Sequence, residues 1–516
     1  MRVVLTTRPC AGFTITFGFP LPRTSAVQRV ARETARAIER ETTMVAVPLQ
    51  GFPSRPVPIL SLSLLFLSIV FSPVMAIETG ETVGFSEAVA RALQRDASVA
   101  VAGFDLEIAK RDVEIALGSN LPSITFDERF VRSSAPAEVF GLKMNRQMVT
   151  AEDFADPVAS FNNPAPFTDF ITSFSLEQPI YAPRALRGYR MAKREAGARE
   201  LDSARAKEET AYRVASAYLG VLTAKEYVEV RGKALEAARQ HHELAGKIER
   251  AGLGLASDGL RARVSLAEAE AASVTAKNRL ELARKALALS MGERGGTSID
   301  AASDPPPMPP AGTLEERIAL ARKSRTDLDA IAVRTENAEA GIELEKSGYL
   351  PTLGLRAGYQ LDGGSPLNPD NRSWNVGVGL RWNLFDGMRN EASVARARGE
   401  SGKAKEQLRG AGDRASFQVS QAYLSVIDAE SRLVIAREAV AAAEEGVRLV
   451  RARYENQLGR MIDVLDAQSA LDGARAGQVR AANDLRQSRA DLEFATGTLL
   501  PWAMQGLAQN GQGGTR

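Results

Sequence analysis

Side chains that most often carry chemistry are sparse in this chain of 516 residues, and few are spaced to act together. The two histidines, His241 and His242, are adjacent. Neighbours on a helix point in different directions, so the pair chelates a metal poorly. The plainer expectation is one solvated imidazole and one facing a neighbouring helix. The only cysteine, Cys10, lies upstream of an export signal, so the processed chain has no disulfide, thiolate metal site or cysteine nucleophile. No phosphate-binding glycine loop, metal-ligand cluster or Ser/His/Asp arrangement is present, so neither an enzyme nor a cofactor is expected. Among the acidic side chains, Asp463 and Asp466 stand three residues apart. On a helix both can project from one face, where clustered like charges favour cations. The alternative is a pair of solvated acids at a helix start, which the macrodipole favours in any case.

Charge narrows the classes further. Lys+Arg 65 against Asp+Glu 63 is near balance, which gives no support to nucleic-acid binding. The run from Ile59 to Phe71 is apolar, uncharged and too short to span a bilayer. Arg55 precedes it and Val74-Met75-Ala76 supplies small residues for cleavage, so 44–76 reads as a signal peptide. Met44 is then the expected start, with 1–43 an upstream extension. After Ala76 no apolar run is long enough for a membrane helix, so membrane residence would require a β-barrel.

The elements that must position these residues are written twice. Ala217-Tyr218-Leu219-Gly220-Val221 recurs as Ala422-Tyr423-Leu424-Ser425-Val426 at an offset of 205. Leu253-Gly254 matches Leu458-Gly459 and Gly292 matches Gly497 at the same offset. Leu121-Pro122 matches Leu350-Pro351 at an offset of 229, so the first half carries about 24 extra residues between 122 and 217. The expected division is a first repeat over 77–300, a Pro-rich linker over 301–312, a second repeat over 313–500 and a flexible tail over 501–516. Thr313 followed by Glu316 offers a capping box for the second repeat.

Each repeat reads as helix, strand, loop, strand, long helix, helix. Apolar residues alternate with Gly, Ser or charged ones over 352–361 and 374–385, and more weakly around Phe170–Leu176 and Ile124–Phe130. Strands of about ten residues with one apolar and one polar face suit a barrel with lipid outside and water inside. A soluble sheet packed on a core is the alternative. Trp374 and Trp382 stand on the apolar face at opposite ends of one strand, as an interfacial aromatic girdle would. The loop 132–167 is much longer than its counterpart 362–373 and is expected to form the larger exposed cap. From Val419 to Tyr454, apolar and small residues recur at spacings of three and four, a coiled-coil seam. The first repeat starts in the same register from Val214 and breaks near Arg231 and His242. The stretches 184–250 and 386–455 lack proline and as helices would each extend about 100 Å.

Four strands cannot close a barrel, and a membrane sheet cannot keep open edges, so subunits must pool strands. The sequence here resembles the TolC-like outer-membrane efflux protein family over nearly all of 80–500. The resemblance rests on the duplicated Leu-Pro, on Phe385-Asp386-Gly387, and on Arg453-Tyr454 leading to Asp463-Val464-Leu465-Asp466-Ala467-Gln468. The segments Phe140-Gly141-Leu142-Lys143, Asp153-Phe154 and Asn162-Asn163-Pro164 resemble a subset of that family. The resemblance implies an α+β membrane protein, a homotrimer with a 12-stranded barrel embedded in outer-membrane lipid and a helical coiled-coil tunnel in the periplasm. It also implies docking on a periplasmic adaptor and an inner-membrane pump. It places Asp463, Asp466 and Tyr454 at a periplasmic gate, although Gln457 stands at the usual turn glycine and Gly459 at a gate arginine. A periplasmic coiled-coil adaptor or scaffold without a membrane barrel is the rival reading.

Overall fold

The computed structural model describes residues 81–155, 162–252, 254–293 and 296–510, all within the unit Ile77–Arg516. The signal segment 44–76, the extension 1–43, Leu253 and residues 511–516 lie outside the described residues. The first half contains β1 (Glu81–Val83), α1 (Phe85–Arg95), α2 (Ala97–Gly118), β2 (Ser123–Ser133), α3 (Pro136–Asn145) and β3 (Phe167–Tyr181). It continues through α4 (Pro183–Arg250), α5 (Ala256–Ser290) and β4 (Ile299–Ala301). The second half contains α6 (Leu314–Ser324), α7 (Thr326–Lys346), β5 (Thr352–Gly363), β6 (Asn371–Arg381), α8 (Arg389–Glu455), α9 (Met461–Thr496) and α10 (Leu499–Asn510).

The long helices begin and end where local chemistry dictates. Pro183 opens α4 at a first-turn position, where its missing N–H costs nothing. At the head of α8, Asp386 accepts from the backbone N–H of Arg389 and of Asn390, both at 3.0 Å. Gly387 and Met388 beside it take positive φ, 71° and 65°, which turns the chain from strand to helix. Thr313 and Glu316 form the reciprocal capping box of α6. Helices of 68 and 67 residues span about 100 Å each at 1.5 Å per residue.

Small residues let the helices approach. In α8, Val419, Ala422, Val426, Ala429 and Leu433 are buried along one seam. In α4 the buried surface around Ala211–Leu222 is wider, because α1 and α10 pack on a second side of this helix. The α4 seam then continues through Ala234, Ala238, His241 and Ala245, so His241 rather than His242 occupies the seam position. The two hairpins, α4 with α5 and α8 with α9, also pack on each other through α4 and α9.

Midway along the helices a denser layer forms. β1 and β4 pair in parallel, and Phe85 lies 5.4 Å from Tyr218 and 4.9 Å from Trp502, ring centre to ring centre. The C-terminal segment expected as a flexible tail is therefore helical to Asn510. Trp502 and Ala503 are 3% and 0% exposed, and burying an aromatic side chain of that size stabilises an ordered helix.

At one end of the helices lies a four-stranded antiparallel sheet in the order β2-β3-β5-β6. Among the described residues its outer strands, β2 and β6, each keep one edge without a strand partner. The last strand ends at Arg381, so Trp382 stands one residue beyond it rather than within it, where its indole N–H donates to the Tyr349 carbonyl at 3.0 Å. Among the described residues, no helix is long and apolar enough to cross a membrane.

Candidate functional site

Two regions carry the chemistry: the sheet at one end and the helical turns at the other. Pairing register decides the faces of the sheet. Phe126, Phe174, Tyr359 and Trp374 form one cross-strand row, and Ile124, Leu176, Ala357 and Val376 the next. Leu355 with Val378 and Leu353 with Leu380 extend this apolar face. Because side chains alternate, the opposite face carries Thr125, Ser175, Gly358 and Asn375 in one row and Glu177, Arg356 and Gly377 in another. Arg356 and Glu177 form an ion pair there at 3.2 Å.

The apolar face is open in the single chain. Ile124 and Trp374 are each 75% exposed, and Leu384 and Phe385 just past β6 are 80% exposed. A contiguous apolar surface of this kind marks contact with lipid or protein. Trp374 and Trp382 are eight residues apart, about 27 Å along an extended strand and about 20 Å along the axis at a 40° tilt, close to the height of a barrel's apolar band.

At the far end, the two hairpins close on a small core. Ala245 of α4, Ala262 of α5, Tyr454 of α8, and Met461 and Val464 of α9 are buried together. Tyr454 is thus inside the packing, and burial, with the Asp258 carboxylate nearby, pushes its phenol above the usual range. Asp463 lies at the surface in a reciprocal capping box with Arg460, whose guanidinium donates to it at 3.1 Å. Arg460 holds the Asp463 carboxyl below the ordinary carboxylate range. Asp466 is exposed one turn further on. The three residues of the expected gate therefore cluster around one turn, with Tyr454 facing the core and both aspartates outside it.

That turn explains a departure noted in the sequence. Gln457 has φ 61°, in the left-handed region that glycine adopts without steric cost. The corresponding turn of the other hairpin has Gly252 there, with φ 72°, at the offset of 205. Gly292 and Gly497, also 205 apart, both have φ 76° and end α5 and α9.

One buried polar cluster went unread in the sequence. The His241 Nε2 lies 3.4 Å from Gln468 Oε1, and Gln468 donates to Asp472 Oδ1 at 2.9 Å. Burial lowers the His241 pKa and raises that of Asp472. The helical seam in α4 was the signal that could have found it, since Ala234, Ala238 and Ala245 set the phase. Among the described residues, no group of three His, Cys, Asp or Glu side chains is placed to hold a metal ion.

Comparison with known proteins agrees with this architecture. Residues 88–293 and 318–498 match the family described as outer membrane efflux protein. Outer membrane protein TolC of Vibrio cholerae is 26% identical over 187 residues, 36% of this chain and 42% of that protein. Outer membrane efflux protein BepC of Brucella suis is 25% identical over 299 residues, 57% of this chain and 64% of that protein. The chain thus spans less than two thirds of the length of either relative. A membrane protein from Pseudomonas aeruginosa of known structure shares the fold, with a TM-score of 0.69 and 20% identity over 80% of this chain and 93% of that one. With the family model matched on both halves, over most of the described chain, this protein belongs to the outer membrane efflux protein family.

Proposed function

We propose that the protein is one subunit of a trimeric outer-membrane conduit that exports solutes from the periplasm as the outer component of a tripartite efflux or secretion system. The observation that carries this reading is the sheet. It has one apolar face, one polar face and, among the described residues, two unpartnered edges, and it runs directly into helices of about 100 Å. Lipid offers no hydrogen bonds to an open edge, so β6 of one copy pairs with β2 of the next. Three copies supply twelve strands, with the polar faces lining water and the helices continuing the wall. Trp374 and Trp382 mark the two lipid interfaces.

The repeat over 77–300 and 313–500, joined by the linker 301–312, gives each copy two similar staves. The matched backbone turns at Gly252 and Gln457 and at Gly292 and Gly497 support this division. The hairpin turns lie at the inner end of the tunnel, where Asp463 and Asp466 from three copies supply six carboxylates and Tyr454 anchors the helix that carries them. Docking there on a periplasmic adaptor and an inner-membrane pump completes the route, and selection of cargo falls to the pump because a wide aqueous tunnel discriminates little. The reading contains no catalytic step.

Detergent-solubilised outer membranes test it. The protein should fractionate with the outer membrane, run as a trimer and form ion-conducting channels in planar bilayers. A stable monomer that retains its full β-sheet signal, or a protein released with the soluble periplasm, would favour the adaptor or scaffold reading.

A further inference from the structure

In the connection from β2 to β3, which the conduit itself does not require, helix α3 folds back onto the sheet rather than projecting. Pro136 opens α3, and Val139 and Leu142 are 2% and 6% exposed where the helix packs against β3. Its end is held by Arg146. The Nε of Arg146 donates to Asp370 at 2.8 Å, and Nη1 donates to the Thr168 carbonyl at 3.2 Å. The guanidinium stacks over the Phe167 ring at 5.2 Å and lies 3.9 Å from the Asp169 carboxylate. Asn371 donates to the Asn145 carbonyl at 2.5 Å. On the other side, Lys143 pairs with Asp153 at 2.7 Å, which ties α3 to the 3-10 turn Ala151–Phe154.

These anchors share one property. Phe167, Asp169 and Asn371 all belong to the polar face of the sheet, two strand positions or a multiple of two from Ser173, Ser175, Asn375 and Gly377. They lie at the strand ends remote from α4 and α8. On that face Asp169, Ile171 and Asp362 are 0%, 8% and 1% exposed, which places α3 over the polar face.

We propose that α3 is an outer-mouth constriction. One copy from each subunit lies inside the barrel rim and narrows the exit, with Arg146 as the pin that holds it. This rests on the trimeric conduit reading and adds a second narrowing to it, at the end opposite the hairpin turns. Size supports it. Twelve strands spaced about 4.8 Å apart and tilted about 40° enclose a backbone circle of about 24 Å. Three helices about 10 Å wide, set side by side, fill a circle of about 22 Å. Arg146 is accordingly a size-determining residue for what leaves the conduit.

Cysteine labelling from outside intact cells reads this narrowing separately from any inner gate. Cys10, the only cysteine in the sequence, lies upstream of the export signal, so the processed chain is a clean background in which Ser175→Cys places one thiol midway down the polar face. Two reagents are used: a small charged maleimide, and a maleimide-linked polyethylene glycol wider than the gap three helices leave but narrower than the open barrel. The expected result is labelling by the small reagent alone, and loss of that size discrimination when Arg146→Ala is added. Asp370→Asn removes the same ion pair from the other side and should give the same loss, with trimer formation verified in both variants. Equal labelling by both reagents before any change at Arg146 overturns the constriction and leaves the conduit standing. Persistent discrimination in both assembled variants also overturns it. Labelling by the small reagent only after the outer membrane is breached, in the Arg146→Ala and Asp370→Asn variants as well, overturns the conduit reading itself.

Discussion

Leu355 of β5 lies directly opposite Val378 of β6, and one residue along, Arg356 lies directly opposite Gly377. The two pairs sit on opposite faces of the sheet, one apolar and one polar. Val378→Arg should therefore cost about 2–4 kcal/mol and block membrane assembly, as a charge on a lipid face near mid-membrane does. Gly377→Arg should still assemble, since a Cβ at Gly377 meets nothing within 4 Å. Heat-resistant trimer in isolated outer membranes measures both, and equal tolerance of the two changes would point to a soluble sheet.

The turn between α8 and α9 holds Gln457 at φ 61°, which costs a non-glycine residue about 1 kcal/mol. Gln457→Gly should stabilise the hairpin end by up to that amount, and Gly252→Gln should weaken the other hairpin similarly. Amide hydrogen exchange across 450–465 and 245–260 reports each end separately.

His241 makes the packing of α4 on α9 sensitive to acid. Burial holds its pKa below the ordinary imidazole value of 6.5, with Gln468 and Asp472 of α9 and Arg451 of α8 around it. The released helix takes up a proton first, so this packing is unaffected well above pH 6.5 and weakens as pH falls below it. Asp472, pushed up by burial, has the opposite slope, so the informative comparison is with His241→Asn. The natural protein should lose more thermal stability than this variant between about pH 7.5 and about pH 5.5. Parallel losses in the two proteins would remove His241 from the account.

Asp463 and Asp466 together should make the inner end of the channel cation-selective and open to block by multivalent cations. Changing both to Asn should weaken block and selectivity while leaving the trimer intact, because an asparagine side-chain oxygen at position 463 can still accept from the backbone at the start of α9. Bilayer reversal potentials and block curves measure this. Unchanged selectivity and block would return both residues to the role of solvated helix-start acids.

Much of this architecture was legible because it is written locally. The seam from Val419 to Tyr454 follows a spacing of three and four within one helix, and the strand faces follow a period of two, so neither requires knowledge of the partner. Thr313 with Glu316 lies within one turn of what it caps, and Asp386 likewise. Family membership followed from the order of such local signals.

What the tertiary structure alone decided involves contacts between distant residues. Trp502 reads as part of a polar, glycine-containing tail until Phe85 is seen 4.9 Å from it, at the other end of the described chain. The three-residue strands β1 and β4 have too few residues to show a period, and only their parallel pairing defines them. The helical phase puts His241 in the seam, but its partner Gln468, 227 positions away on α9, is set only by the packing of the two helices. Arg146 finds Asp370 across 224 positions and folds α3 onto the polar face. Periodicity specifies which face of an element is buried, but the partner that buries it depends on packing between distant segments, which no local pattern contains.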